Sequence, residues 1–301
     1  MKKAFQYIAC VIFSLLLAFS LMATGALIAV DRIALNEEAC VALIDAQALP
    51  EKARQSLEKH FDEQQNTTGV PATLFTESIA VDKLRVLMED TIRNGFAYLN
   101  GETETIGISA DFYALEADLR LFYSSYADMY GYAKDEAYEA AVEEAIQISE
   151  ESICTSVDIF RFKSLADAGM MQKVRAVMPW ISRGVLCCAV LDVVLLLILV
   201  LLNRKNLRRT WYWLACALCS AGVILYVPTA WLKSTEWFDR FTVKAPQTFA
   251  AVTAHLYHTT DAVKTYAVVC IVTAAVLWVI CAVCGMMRKR KLRLTAASSE
   301  N

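Results

Sequence analysis

Four long apolar stretches most constrain what this chain can fold into. Each reaches or approaches the ~20 consecutive residues that an α-helix needs to cross the hydrocarbon core of a bilayer. The sequence therefore indicates an all-α, multi-pass membrane protein. The stretches predict transmembrane helices at residues 1–30, 184–202, 211–232 and 265–287.

Basic residues at the ends of these stretches predict their orientation. Lys2 and Lys3 precede the first stretch, four arginines and lysines lie in the turn 203–210, and a basic tail, 288–301, follows the fourth. Because positively charged flanks stay in the cytoplasm, both termini and the turn are predicted to be cytoplasmic, with the chain in the plasma membrane. The predicted extracytoplasmic segments are 31–183 and 233–264.

The first apolar stretch has an alternative interpretation as a cleaved signal peptide. It runs from Ala4 to Val30, whereas the apolar part of a signal peptide spans about 7–15 residues. The length favours a retained anchor. Cleavage near Ala26 is the alternative, and it would leave three spans and an extracytoplasmic N-terminus.

The charge is distributed unevenly along the chain. Residues 31–178 contain 27 Asp and Glu against 13 Lys and Arg, a net charge of −14, although the whole chain carries only −3. A nucleic-acid-binding protein needs a basic face on an aqueous domain, and the large polar segment is acidic. The composition therefore argues against nucleic acid as a partner and leaves the lipid bilayer as the certain one.

The large segment 31–183 has apolar residues at helical spacing and none of the sustained alternation typical of strands. Pro50 suits the first turn of a helix, and an apolar stripe over residues 81–99 ends at Gly101. Residues 134–168 contain neither Gly nor Pro. Four or five amphipathic helices are predicted to form a small extracytoplasmic bundle.

The shorter segment 233–264 begins with aromatic residues. Trp237, Phe238 and Phe241 are typical of a piece that lies in the lipid headgroup region. After Pro246 the sequence is compatible with a helix that leads directly into the fourth span.

Asp192 is the candidate intramembrane polar site, because it is the ionisable residue deep within a span. An acidic residue at that depth costs roughly 2.5–3.5 kcal/mol, so it should face protein or trapped water. Counting from the 203–210 turn places Ser220 and Thr273 at similar depth. The alternatives are a protonated acid that joins two helices, a proton or cation relay, and contact with a partner membrane protein.

Two cysteines and two histidines lie in the predicted extracytoplasmic segments in suggestive positions. Cys40 and Cys154 could form a disulfide there, and the alternative is two small buried side chains. His255 and His258 could share a helical face, but no second cluster completes a metal site. Polar residues near the membrane surface are the favoured account of these histidines.

No motif in the sequence identifies a catalysed reaction. There is no phosphate-binding loop, no Gly-x-Ser-x-Gly, no His-Glu-x-x-His and no dinucleotide fingerprint. We therefore assign no catalytic residue, cofactor or metal, and an enzyme is disfavoured.

Two short phrases carry a resemblance to a known group. The segments 68–75, Thr-Gly-Val-Pro-Ala-Thr-Leu-Phe, and 98–102, Tyr-Leu-Asn-Gly-Glu, resemble phrases in uncharacterised four-span integral membrane proteins of Gram-positive bacteria. That resemblance implies a helical extracytoplasmic domain between spans one and two. It implies no catalytic residue, because no function is attached to the group.

These observations lead to three hypotheses for the function. The leading one is a non-enzymatic role in binding, sensing or assisting a complex at the cell surface, with an extracytoplasmic ligand or another membrane protein as the partner. The second is a transporter or transporter subunit that uses Asp192. The third is a membrane-embedded enzyme, which would need Asp192, Ser220 and Thr273 to lie together.

Overall fold

Helices account for 86% of this computed structural model. It describes residues 2–68, 70–107, 111–204 and 206–298, and it describes their side chains except for 2–3, 66–68, 76–78 and 288–298. The basic side chains of Lys2, Lys3, Lys205 and the tail 288–301, which carry part of the orientation argument, lie outside the described set.

The described residues form eleven α-helices and no strand, which confirms the predicted all-α class. A five-residue π-helical segment, Val30–Ala34, follows α1, and a short 3₁₀ helix, Trp237–Arg240, precedes α11. The helices are α1 (Lys2–Ala29), α2 (Glu37–Ala46), α3 (Leu49–Thr68), α4 (Ala72–Ser78), α5 (Val81–Asn100), α6 (Tyr113–Tyr130), α7 (Glu136–Val157), α8 (Phe162–Asp167), α9 (Met170–Leu202), α10 (Leu207–Ser234) and α11 (Pro246–Ser298).

Four of these segments are long and apolar enough to cross a membrane, as the sequence predicted. They lie within α1 and the π-helical segment, α9, α10 and α11. The chain therefore has the make-up of a multi-pass membrane protein. Which side of the membrane each end occupies stays a prediction.

The chain divides into two compact units. We call residues 1–35, 179–237 and 257–301 the membrane unit, and residues 36–178 and 238–256 the helical domain. The membrane unit contains the larger part of each of the four apolar segments, and α1 packs against α10 within it. Leucines of α1 and α9 meet alanines of α10 there, which fits the small residues that let membrane helices approach closely.

The helical domain is built around α3 and α5, which contact most of its other helices. The predicted stripe of α5 is confirmed, because Leu84, Met88 and Ile92 are all fully buried. The predicted end of that helix is confirmed as well. Gly101 adopts the left-handed conformation (φ 82°) and donates its N–H to the Tyr98 carbonyl, a cap that glycine makes without steric cost.

Residues 238–256 belong to the helical domain, and the suggestion that the start of this segment lies in the headgroup region stays a prediction. Ala251 is fully buried in the domain core, and Gln247 and Thr248 of the same helix are buried too. One continuous helix, α11, thus supplies its first turns to the domain and its later turns to the membrane unit.

The helix expected over residues 134–168 is interrupted although that stretch has no Gly or Pro. The Asp158 carboxylate accepts hydrogen bonds from the Phe162 N–H at 2.8 Å and the Lys163 N–H at 2.9 Å, so it caps the start of α8. Arg161 takes a left-handed conformation (φ 58°) at the break. Burial raises the pKa of the Asp158 carboxyl, while these N–H groups and Arg161 act in the opposite direction.

Candidate functional sites

The structure gives Asp192 of α9 a partner on α1. The Thr24 hydroxyl lies 2.8 Å from the Asp192 Oδ2 and 3.0 Å from the Ser20 carbonyl oxygen. Because this hydroxyl has one proton, it is shared between the two acceptors. The other carboxylate oxygen, Oδ1, is buried without a hydrogen-bond partner among the described residues.

More polar groups of α1 and α11 gather beside this contact. The Tyr266 hydroxyl donates to the Leu21 carbonyl at 2.9 Å. The Tyr266 ring occupies the space that a Cβ on Gly25 would fill. Gly25 therefore lets α11 approach α1 at the level of the carboxylate.

The other two residues predicted for this site are placed elsewhere. Ser220 and Thr273 are both exposed on the membrane unit, and neither forms a hydrogen bond with Asp192 in the described part of the chain. The partner, Thr24, lies on α1. The depth count from the 203–210 turn compared only the third and fourth spans, so it did not include α1. Ser20 and Thr24, four residues apart in an apolar stretch, were the signal for it.

Cys40 and Cys154 are free thiols in the structure, which therefore does not contain the disulfide that was one of the two alternatives. The Cys40 Sγ lies 3.9 Å from the Nδ1 of His255. Burial raises the pKa of the Cys40 thiol to about 12, which keeps it protonated and unreactive near neutral pH.

His255 and His258 belong to no described group of three or more potential metal ligands. Asp261, which the same spacing would have contributed, forms a salt bridge with Lys233 at 2.8 Å instead. Across the described residues, no group of three or more His, Cys, Asp or Glu side chains could hold a metal ion.

The helical domain contains a polar cleft that sequence reasoning missed. Its volume is about 390 Å³, and its walls come from α3, α7, the break before α8 and the start of α11. We define the polar cleft by the six side chains that carry its polar character: His60, Glu151, Ser152, Ser156, Arg161 and Gln247.

Gln247 is the most buried of these side chains, with 2% of its surface exposed. Its Nε2 donates to the Ser156 Oγ at 2.9 Å and lies 3.4 Å from the Ser156 carbonyl oxygen. Its Oε1 is buried with no hydrogen-bond partner among the described residues. Such an unsatisfied acceptor in a protein interior requires an explanation.

His60 lines the polar cleft beside a serine of α7. Its Nε2 lies 3.5 Å from the Ser152 Oγ, which donates its own proton to the Ile148 carbonyl at 2.8 Å.

The polar cleft also holds one acidic and one basic side chain. Neither Glu151 nor Arg161 forms a salt bridge with a described residue. Nothing in the sequence shows that α3, α7 and α11 meet.

Comparison with protein-family models, with curated proteins and with solved structures found no match for this chain.

Proposed function

We propose that this protein has a non-enzymatic role at the cell surface, in which its helical domain binds a small polar molecule in the polar cleft. The observation that carries the proposal is Gln247, a nearly fully buried amide whose oxygen has no hydrogen-bond partner. Clefts that hold small molecules typically have a volume of about 300–1,000 Å³ and a few convergent polar groups.

The placement of the domain outside the cell rests on charge. Basic residues flank the ends of the spans that we assign to the cytoplasm. The helical domain is then extracytoplasmic, between spans one and two, as in the Gram-positive proteins that the sequence resembles.

The same helix that carries Gln247 continues into the fourth span. A ligand bound at the first turn of α11 contacts an element whose later turns lie in the membrane unit. We infer that this protein passes the binding event to another membrane protein through a small helix shift.

Cysteine labelling of intact cells tests this proposal. In a Cys154→Ser background, Thr155→Cys places a thiol in the polar cleft, and Arg204→Cys places one in the turn between α9 and α10. We expect a membrane-impermeant maleimide to label the first variant at least tenfold more than the second. We also expect the low-molecular-weight fraction of yeast extract to slow that labelling at least twofold.

The opposite labelling pattern would put the helical domain in the cytoplasm and end the proposal of a surface role. Labelling from outside that yeast extract leaves unchanged would keep the orientation and reject the cleft as a binding site for a small polar molecule.

Transport is the second candidate function, and the buried, unpaired Oδ1 of Asp192 favours it. An intramembrane carboxylate with an open coordination position can bind a proton or a cation. Thr24 is the one described hydrogen-bond partner, and a transport path generally needs several such groups. For that reason transport stands second.

Asp192→Asn separates transport from a structural role. The amide still accepts the Thr24 hydroxyl proton but no longer ionises, so the fold should lose about 0.6 kcal/mol or less, the average for a hydrogen bond between membrane helices. If the protein moves protons, flux into proteoliposomes with an internal pH-sensitive dye falls to that of empty vesicles, at unchanged protein content. Equal loss of protein and flux would instead assign Asp192 to holding helices together.

A further inference from the structure

We propose that the polar cleft binds a zwitterion of the α-amino acid class, with the ligand carboxylate at Arg161 and its ammonium group at Glu151 and Gln247. This inference rests on the proposed function and deepens it by naming the ligand class. It is carried by three features of one cleft: two opposite charges that form no salt bridge with a described residue, one buried acceptor without a described hydrogen-bond partner, and a small volume.

The two charges favour a ligand that carries both signs. Arg161 and Glu151 line the same cleft, and no described residue forms an ion pair with either. A simple anion would be attracted by Arg161 and repelled by Glu151, and a simple cation would meet the reverse. A zwitterion satisfies both side chains and brings no net charge into the cleft.

Arg161 has the geometry for the carboxylate. The guanidinium group presents a planar fork of N–H donors that pairs with both oxygens of a carboxylate. Asp158, the nearest acid in sequence, uses its two oxygens on the Phe162 and Lys163 N–H groups. Arg161 acts on the Asp158 carboxylate through its charge, but no hydrogen bond joins its guanidinium to a described residue, and we assign its donors to the ligand.

Gln247 supplies the contact that distinguishes an ammonium group from other donors. Both acceptors of Ser156 face the Gln247 Nε2, which orients the amide and leaves its Oε1 as the unsatisfied atom. An ammonium group has three donors. One can satisfy the Gln247 Oε1 while another pairs with the Glu151 carboxylate.

The size and the remaining wall restrict the ligand further. A volume of about 390 Å³ lies at the lower end of the range for small-molecule sites, so it suits a single amino acid or a similarly small zwitterion. Leu57 and Ile148 line the same cleft and offer an apolar surface for the ligand side chain.

Calorimetric titration of the full-length protein in nanodiscs tests the inference. Each of the twenty standard L-amino acids is titrated separately, and we expect at least one to bind. For that amino acid, its N-acetyl form and its carboxamide form, which each lack one of the two charges, should both bind at least tenfold more weakly.

Substitutions locate the binding to the polar cleft. Glu151→Gln and Arg161→Asn should each raise the Kd at least tenfold. Asn is the substitute at position 161 because it tolerates the left-handed backbone there. Glu58→Gln, an exposed acid on α3 outside the cleft, should leave the Kd unchanged, and Arg161→Lys should retain part of the affinity.

Each other outcome overturns the inference. If no amino acid binds while yeast extract still protects Thr155→Cys, the ligand belongs to another class and the proposed function stands. If an amino acid binds with a Kd that the Glu151 and Arg161 variants do not change, the site lies elsewhere. If the N-acetyl and carboxamide forms bind as tightly as the unmodified amino acid, the two ligand charges do not contribute to binding, whether or not the variants fold.

Discussion

Ala251→Glu is expected to lower the free energy of unfolding of the helical domain by about 3–5 kcal/mol, the typical cost of leaving an unpaired charge buried. Ala251 is 0% exposed and lies in the core of the domain. A glutamate side chain there would have to enter the packed apolar core. We expect the urea midpoint of the detergent-solubilised protein, followed by far-UV circular dichroism, to fall sharply.

Ala140→Glu is the matched control for this prediction. Ala140 is an exposed residue of α7 in the same domain, so the same substitution should change the free energy of unfolding by about 0.5 kcal/mol or less. Equal midpoints for the two variants would show that residues 238–256 are not part of the domain core.

Tryptophan fluorescence shows whether the destabilisation by Ala251→Glu is limited to the helical domain. All six tryptophans lie in the membrane unit, so their emission in Ala251→Glu should stay that of the wild type while the circular dichroism transition moves. A red shift in that emission would mean that the substitution disrupts the membrane helices as well. The tryptophans are Trp180, Trp211, Trp213, Trp231, Trp237 and Trp278.

Gly222→Ala is expected to destabilise the membrane unit by about 1–3 kcal/mol, the range for overpacking a well-packed interior. A Cβ at this position of α10 would lie 2.7 Å from the Ile271 Cγ1 and 2.8 Å from the Ala267 carbonyl oxygen of α11. The backbone oxygen cannot rotate away as a side chain can. The two helices must therefore move apart and lose contacts along their interface.

Thermal unfolding followed by tryptophan fluorescence measures this effect, and Gly184→Ala is its control. A Cβ on Gly184 would approach the Leu27 Cδ1 at 3.4 Å, an ordinary van der Waals distance. Because alanine favours helix over glycine, the control should leave the Tm unchanged or raise it. A Tm for Gly222→Ala at or above the wild-type value would contradict the close packing of α10 on α11.

The site on Asp192 was predictable only in part. An acidic residue inside an apolar stretch is visible in any sequence, and so is the need for a partner. The partner is Thr24, whereas counting depth suggested Ser220 and Thr273, which are exposed. Depth restricts a residue to one level in the bilayer, but the rotation of each helix about its axis decides which side chains meet.

The polar cleft could not be predicted at all from the sequence. Its six defining residues come from four segments of the chain, with almost 190 residues between His60 and Gln247. No single segment carries a motif, because the chemistry arises only when α3, α7 and α11 pack together. The helix break at Asp158, which brings Arg161 into the cleft, likewise depends on a buried carboxylate that caps α8.

The sequence by itself determined the class of this protein and the positions of its four apolar spans. Apolar length and helical spacing are local properties, and they specify four spans, the stripe of α5 and its end at Gly101 whatever the rest of the chain does. Only the tertiary structure decided that residues 238–256 complete the helical domain, that Asp192 meets α1, and that opposite charges share one cleft. Those outcomes depend on which faces of distant helices pack against each other, and that choice is made by the whole chain at once.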